Sequence, residues 1–469
     1  MMSGSPPALV QDPAFRRRRV QNWMVLGLLY SFFYMSRYNF TAVMGDLART
    51  FGWTNVQTGV FETVMPLVYG LSVVVNGPLA DRIGGKRAFL FGAAGVTVLN
   101  FLFGACTLLV ATPAVVAAQG HGFSVVTPAV LRFGLEPGAV LAIMATVWGT
   151  NGYFQSFGAL SIVKVNAQWF HVRERGTFSG IFGVLIRFGL ILAFSGVPWI
   201  AAVLPLPYAF WIPGAFVGLF LVLNWLFMQN TPRDAGFDGF ETGDEVSSAD
   251  DEGPVRISFV LRKVFASRVT WTIAIASMMI GFVRRSTVDV WFSKYFSDVW
   301  LPAGLDKAAF APYQAAAWGI ALLGIAGGFA FGIASDRVFQ ARRAPVIVFG
   351  FLGMAVALAA LGVSDRIGLG PWAAAVVLAI LSFFVNGAHG MVGGAASMDF
   401  GGRRAAATAA GLFDGMQYLA SSVVGVGMGF LLDTWGWSAW PFAPIPFAIA
   451  GAALMVTLWN VTPKGRTGH

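Results

Sequence analysis

Apolar residues gather along the chain into twelve runs, at 22–46, 55–80, 87–112, 137–165, 177–200, 207–229, 268–296, 308–334, 344–363, 371–397, 404–432 and 437–461, parted by short charged segments. About 20 apolar residues let a helix cross a hydrocarbon core of about 30 Å. The pattern therefore predicts an all-α membrane protein of twelve transmembrane helices, and it lacks the ten-residue alternation of a membrane β-barrel. The first 21 residues are polar, and residues 230–267 form the one long polar stretch, dividing six runs from six. The predicted organisation is a tail (1–21), a six-helix half (22–229), an acidic linker (230–267) and a second half (268–469). Too little apolar surface lies in that linker to fold alone, so a flexible tether is expected, with a regulator docking there as a lesser alternative. The loop from Thr112 to Glu136 carries two apolar patches and is expected to hold a short interfacial helix.

Composition agrees with a membrane chain. Of 469 residues, 57% are hydrophobic and 11% charged, with a mean hydropathy of +0.69; ordinary soluble domains carry about 25% charged residues. An ordinary soluble enzyme is excluded. The lone Cys106 cannot form an intramolecular disulfide. Arg16, Arg17, Arg18 and Arg19 precede the first run, no small-residue cleavage site follows it, and only Arg49, Arg132, Lys307 and Arg366 fall in loops on the opposite side. Basic residues concentrate on the cytoplasmic side of membrane proteins, so both termini are expected in the cytoplasm and the chain in a cytoplasmic membrane. The net charge of +9 then reflects orientation and anionic lipid, with no nucleic-acid partner.

Two features repeat. Gly77-Pro-Leu-Ala-Asp81-Arg82 after the second run returns as Gly332-Ile-Ala-Ser-Asp336-Arg337 after the eighth, an offset of 255; Arg37 in the first run returns as Arg284 in the seventh, an offset of 247. Nearly equal offsets of independent features mark two equivalent six-helix halves. Arg37 lies 18 residues beyond Arg19 and Arg284 lies 16 beyond Arg268, so both sit roughly 24 to 27 Å from the same edge. A guanidinium in hydrocarbon costs at least about 2.5 to 3.5 kcal/mol and cannot escape by losing its proton. It must face water, an acidic partner or a ligand. Asp289 is the available carboxylate, and its i,i+4 spacing favours Arg285 over Arg284; none lies near Arg37 in sequence. Two opposed guanidinium forks suit a tetrahedral oxyanion.

At this point the chain resembles the organophosphate:phosphate antiporters of the major facilitator superfamily, which include glycerol-3-phosphate and hexose-6-phosphate transporters. Nearly the whole chain is covered. The marks are Tyr30 and Tyr34 before Arg37-Tyr-Asn-Phe, the Asp81-Arg82 loop, Trp169-Phe-His-Val-Arg173-Glu174-Arg175-Gly176, Asn230-Thr-Pro-Arg-Asp-Ala-Gly236, Arg284 with Asp289, Ser335-Asp336-Arg337-Val-Phe, and Arg404-Ala-Ala-Ala-Thr-Ala-Ala-Gly411 leading to Tyr418. The resemblance implies that Arg37 and Arg284 grip phosphate with Tyr30, Tyr34, Tyr69 and Tyr418 around them. It also implies two pseudo-symmetric halves that rock to alternate access, gated at the cytoplasmic ends by Asp81, Arg82, Asp336 and Arg337. The expected partners are a small phosphorylated anion, inorganic phosphate and the lipid bilayer, and the expected state is a monomer.

Departures from the family pattern bear on which ester is carried. Lysines common in the family are Tyr38 and Val73 here, and the histidine of the glycerol-3-phosphate branch aligns with Gln168. The fifth run carries Arg187, 11 residues past Gly176 and so near mid-membrane; it adds a third charge to the site or pairs with Asp414. Asn386 and His389 in the tenth run are candidates for substrate hydroxyls, and packing is the other reading of His389. Lys164 is expected to snorkel outward. Asp414 and Asp289 are the candidates for proton coupling, whereas Glu62, 19 residues before Asp81, is expected near the external surface. No phosphate-loop motif, metal-binding cluster or activated nucleophile is present, so no enzyme activity, cofactor or metal is expected. A proton-coupled organic-anion symporter and a non-transporting sugar-phosphate sensor are the alternatives to the antiporter.

Overall fold

The computed structural model describes residues 12–112, 115–116, 125–126, 130–170, 175–238, 240, 267–340, 342–392 and 397–461. Twelve helical spans follow one another: α1 (Pro13–Ala42), α2 (Asn55–Ile83), α3 (Gly85–Cys106), α4 (Pro137–Gln155, continued by Phe157–Trp169), α5 (Arg175–Ile191, continued to Val203), α6 (Tyr208–Phe227), α7 (Arg268–Ser286), α8 (Ala311–Arg337), α9 (Arg343–Arg366), α10 (Pro371–Gly390), α11 (Ser397–Trp435) and α12 (Ile445–Val456). Local chemistry sets the starts. Asp12 caps α1 by accepting from the Ala14 N–H, with Pro13 in the first turn, and Thr54 and Gln57 form a reciprocal capping box on α2.

Packing repeats with the period of six expected of two equivalent halves. In the first, α1 packs on α5 and α6, α2 on α4, and α3 on α6; in the second, α7 packs on α11 and α12, α8 on α10, and α9 on α12. The halves meet through α2 with α11 and through α5 with α8, which is again one contact and its six-helix translation. Lipid supplies no hydrophobic drive between helices, so close backbone approach and buried hydrogen bonds hold them together. A Cβ on Gly59 would lie 2.3 Å from the Gly425 carbonyl oxygen, and one on Gly429 2.4 Å from that of Asn55. Asn39 donates to Asn100 Oδ1 (3.0 Å) and to the Ala209 carbonyl (3.2 Å), tying α1, α3 and α6 together. Large apolar side chains such as Leu71, Val98, Trp225 and Val356 point outward, as a lipid-facing perimeter requires.

Among the described residues, seven helices are long and apolar enough to cross a membrane by length and composition. The other spans, α1, α2, α4, α7 and α12, are polar, interrupted or short, and the first four of these carry Arg37, Glu62, Gln155 and Arg284. Polarity is concentrated where the helices turn away from lipid.

Two expectations need correction. The loop after α3 contains two short antiparallel strand pairs, Val110–Thr112 with Val130–Leu131 and Val115–Val116 with Val125–Val126, and no helix among its described residues before Arg132–Gly134. Its valine-rich patches pair as strands, because β-branched residues fit a pleated surface better than a helix. The linker also starts ordered: Thr231 and Asp234 bond each other's backbone N–H groups, and Phe237 and Phe240 pack on Phe15 of α1. Those two aromatics supply apolar area that the acidic remainder lacks. Residues 241–266 lie outside the described residues, as do residues 171–174 and the side chains of residues 404–411.

Candidate functional site

The helix ends that carry the linker and both Asp-Arg motifs define one end of the bundle, the linker side; the loops at 43–54 and 301–310 define the far end. Between them, α1, α4, α5, α7, α10 and α11 turn polar side chains toward the meeting of the halves.

Arg37 is 8% exposed. Its Nε (3.3 Å) and Nη2 (3.2 Å) both donate to Gln155 Oε1 on α4, and its guanidinium lies 4.9 Å from the Tyr34 ring centre and 4.6 Å from that of Tyr69. Tyr69 packs in turn on Tyr418 of the second half (4.5 Å) and Tyr34 on Tyr30 (5.2 Å). Ring faces attract the cation without neutralising it. Among the described residues, Arg37 has no carboxylate partner within 4 Å.

Arg284 differs. Its Nε lies 2.9 Å from Asp289 Oδ2, an ion pair by distance, although the N–H is not aimed well enough to count as a hydrogen bond. This overturns the expected Arg285–Asp289 pair. Helix α7 stops at Ser286, Thr287 and Val290 leave helical geometry, and the Asp289 N–H folds back on the Arg284 carbonyl (3.0 Å), so i,i+4 spacing no longer describes neighbours. Arg285 crosses to the other half, donating to Glu62 Oε2 (3.0 Å) and Tyr38 Oη (3.2 Å). Glu62, expected near the surface, is 6% exposed and also accepts from Thr41. Arg285 of α7 reaches it and α11 packs along α2, so it is buried in the seam.

Arg187 does not pair with Asp414: its Nη2 donates to Asn386 Oδ1 on α10, across the halves. A Cβ on Gly324 would lie 2.9 Å from Asn386 Nδ2 and 3.3 Å from Arg187 Cζ, so only glycine leaves room there. Arg187 has Asp289, Arg284, Tyr34 and Tyr38 as its strongest electrostatic neighbours, and Asp414, exposed on α11, has Arg284 as its charged neighbour. His389 Nδ1 lies 2.9 Å from Gln417 Nε2.

Gln168 is not with these residues. It is exposed in the last turn of the segment Phe157–Trp169, 13 residues beyond Gln155 and so about 20 Å toward the linker side. Gln155 supplies the α4 amide instead; lying in an apolar run, it carried no sequence signal beyond being polar there. Lys164 donates to the Ala80 carbonyl (3.0 Å) near that end, and Lys294 pairs with Asp298 (2.5 Å). Of the gate residues, Asp336 bonds Arg343 (2.6 Å) rather than its neighbour Arg337, because successive helix residues point apart. Arg82 and Arg337 are exposed, and the side chain of Asp81 lies outside the described residues.

The halves are bonded at the far end as well. Lys307 donates to the Ala42 carbonyl at the end of α1 and lies 3.8 Å from Asp46, and Asp433 at the end of α11 accepts from the Asn55 (3.0 Å) and Val56 (2.9 Å) N–H groups that open α2. Burial lowers Lys307 to about 8, against the opposing pull of Asp46.

Two six-helix halves that meet along a seam of arginines, amides and tyrosines define a multi-pass membrane transporter, not an enzyme. Residues 26–425 match the Major Facilitator Superfamily, and the chain belongs to it. It is 25% identical to a probable hexose phosphate transport protein of Chlamydia pneumoniae over 97% of this chain and 95% of that one, and 26% identical to a glycerol-3-phosphate transporter of Bacillus subtilis over 96% and 94%. A hexose-6-phosphate:phosphate antiporter of Escherichia coli is 24% identical over 94% and 89%. The fold is similar to that of an inward-facing bacterial homologue of the human lysosomal transporter Spinster, with a TM-score of 0.68, 14% identity and 97% of each chain covered.

Proposed function

We propose that the protein is a secondary transporter that exchanges a small organophosphate, of the glycerol phosphate or sugar phosphate type, for inorganic phosphate by alternating access. One observation carries the reading: Arg37 is buried between tyrosine rings where the halves meet, and among the described residues its hydrogen bonds go to a neutral amide. A guanidinium left with its full charge favours an oxyanion, to which it can give two parallel charge-assisted bonds. The names of the relatives support the same class of substrate. Arg284 would join the grip by sharing or leaving Asp289. An empty chamber holding unneutralised arginines resists closing on the linker side, and a bound phosphate relieves it, so each return needs an anion. With the termini in the cytoplasm of a bacterial inner membrane and a monomer as the working unit, the far end faces outward.

The test is exchange in vesicles. Purified protein in liposomes loaded with phosphate should take up labelled phosphate or glycerol 3-phosphate, and Arg37→Lys should abolish uptake, because lysine offers no fork. Uptake that instead follows an imposed pH gradient and collapses in Asp414→Asn would favour proton coupling, the reading to which Asp414, with Arg284 as its charged neighbour, lends weight. Binding without flux would favour a sensor.

A further inference from the structure

Two buried arginines, Arg37 and Arg285, and two partly buried ones, Arg187 and Arg284, reach the meeting of the halves, and their partners differ in kind. Arg284 and Arg285 have carboxylates, Asp289 and Glu62. Arg37 and Arg187 have amide oxygens, those of Gln155 and Asn386. Both amides are locked the same way round. Gln155 Nε2 donates to the Phe33 carbonyl and to Ser36 Oγ (3.3 Å each), and Asn386 Nδ2 donates to the Ser382 carbonyl (3.0 Å) and to Ser382 Oγ (2.9 Å). With the donor side of each amide engaged, the oxygen is what remains for the guanidinium. The placement is also matched: Gln155 lies 18 residues beyond Pro137 at the start of α4 and Asn386 lies 15 beyond Pro371 at the start of α10, the spans related by the six-helix repeat.

From this we infer that Gln155 and Asn386 are positioning residues for the anion: each aims one guanidinium through a dipole, and among the described residues neither guanidinium is bonded to a carboxylate. Arg187 then grips alongside Arg37, and Arg284, whose charge Asp289 already meets, joins only once it leaves that carboxylate. Because Asn386 belongs to the opposite half from Arg187, an anion that takes Arg187 exchanges a bond between the halves for a bond to itself. The bond to an anion joins two opposite charges, whereas the bond to the Asn386 amide carries a charge on the donor side only. This inference rests on the oxyanion reading of the chamber.

Isosteric charge substitutions test it. In phosphate exchange by the full-length protein in liposomes, Gln155→Glu and Asn386→Asp keep shape but hand each arginine a carboxylate. Each should raise the KM for phosphate about tenfold or more, with kcat changed less. Gln155→Ala and Asn386→Ala loosen the aim yet keep the charge free, and should raise KM by less than about threefold. The inference is overturned if the acidic variants keep the wild-type KM, or if the alanine variants are impaired as much, since packing would then be the amides' role. Should the wild-type protein exchange another anion and not phosphate, the same KM pattern toward that anion would sustain the cradle while the phosphate assignment fails.

Discussion

At the scale of the residue, the chamber sorts its arginines by whether a carboxylate reaches them. The Glu62–Arg285 pair, with Thr41 on the carboxylate and Tyr38 on the guanidinium, is buried in the seam between the halves. Removing one member of a buried pair leaves a naked charge and costs about 3–5 kcal/mol, while replacing both by apolar groups can be neutral. Glu62→Gln should therefore lower thermal stability in detergent well below wild type, and Glu62→Met combined with Arg285→Met should recover most of the loss; equal losses in both would mean the pair is not the cause. Such partners could not be read from the sequence. Arg37 and Arg284 were legible as costly charges inside apolar runs. Gln155, a single amide 118 positions from Arg37, was not, because nothing local couples the two.

At the scale of the element, the departures follow from where helices stop. Helical spacing assigned Asp289 to Arg285 because a continuous helix was assumed, and the unwinding after Ser286 reverses the pairing. Lys294 and Asp298 meet four residues apart across the junction of Trp291–Tyr295 with Phe296–Trp300, a pair not proposed from the sequence. The seam of α2 and α11 is held at one end by Asp433, whose carboxylate caps the first N–H groups of a helix in the other half. A carboxylate at a helix N-terminus contributes about 0.5–2 kcal/mol through its bonds and the helix dipole. Asp433→Ala should weaken far-end closure by about that amount, seen as faster labelling of a cysteine placed at Gly45 in a background lacking Cys106; an unchanged rate would show that the cap does not hold the seam. Farther along, a leucine at Gly425 has no room against Thr63 and the Gly59 carbonyl. Gly425→Leu should keep the far end open, with labelling at Gly45 raised more than in Asp433→Ala.

At the scale of the whole molecule, the twelve spans and their division into halves were legible because bilayer thickness sets helix length and duplication leaves equal offsets. The seams between halves were not, since they depend on backbone approach at glycines that look alike in sequence. Lys307 gives the far-end closure a pH dependence with a definite sign. Its folded pKa of about 8 lies below the model-peptide value for lysine of about 10.4, so across that window the separated state holds more protons and the closed state gains as pH rises. Below about 8 both states are protonated and this contribution is flat. Among the charged groups around it are Asp46 and Arg49 from the first half and Lys294 and Asp298 from its own. Thermal stability should climb between about pH 8 and 10 relative to Lys307→Met, and parallel curves for the two proteins would rule the lysine out.

The most direct test of the oxyanion chamber is equilibrium binding, which separates recognition from transport. Calorimetric titration of the purified protein with phosphate should show one site per chain. Arg37→Gln should weaken it by about tenfold or more, the loss of a hydrogen-bonded charge. Undiminished phosphate affinity in that variant would contradict the assignment of Arg37 as the anion's receptor.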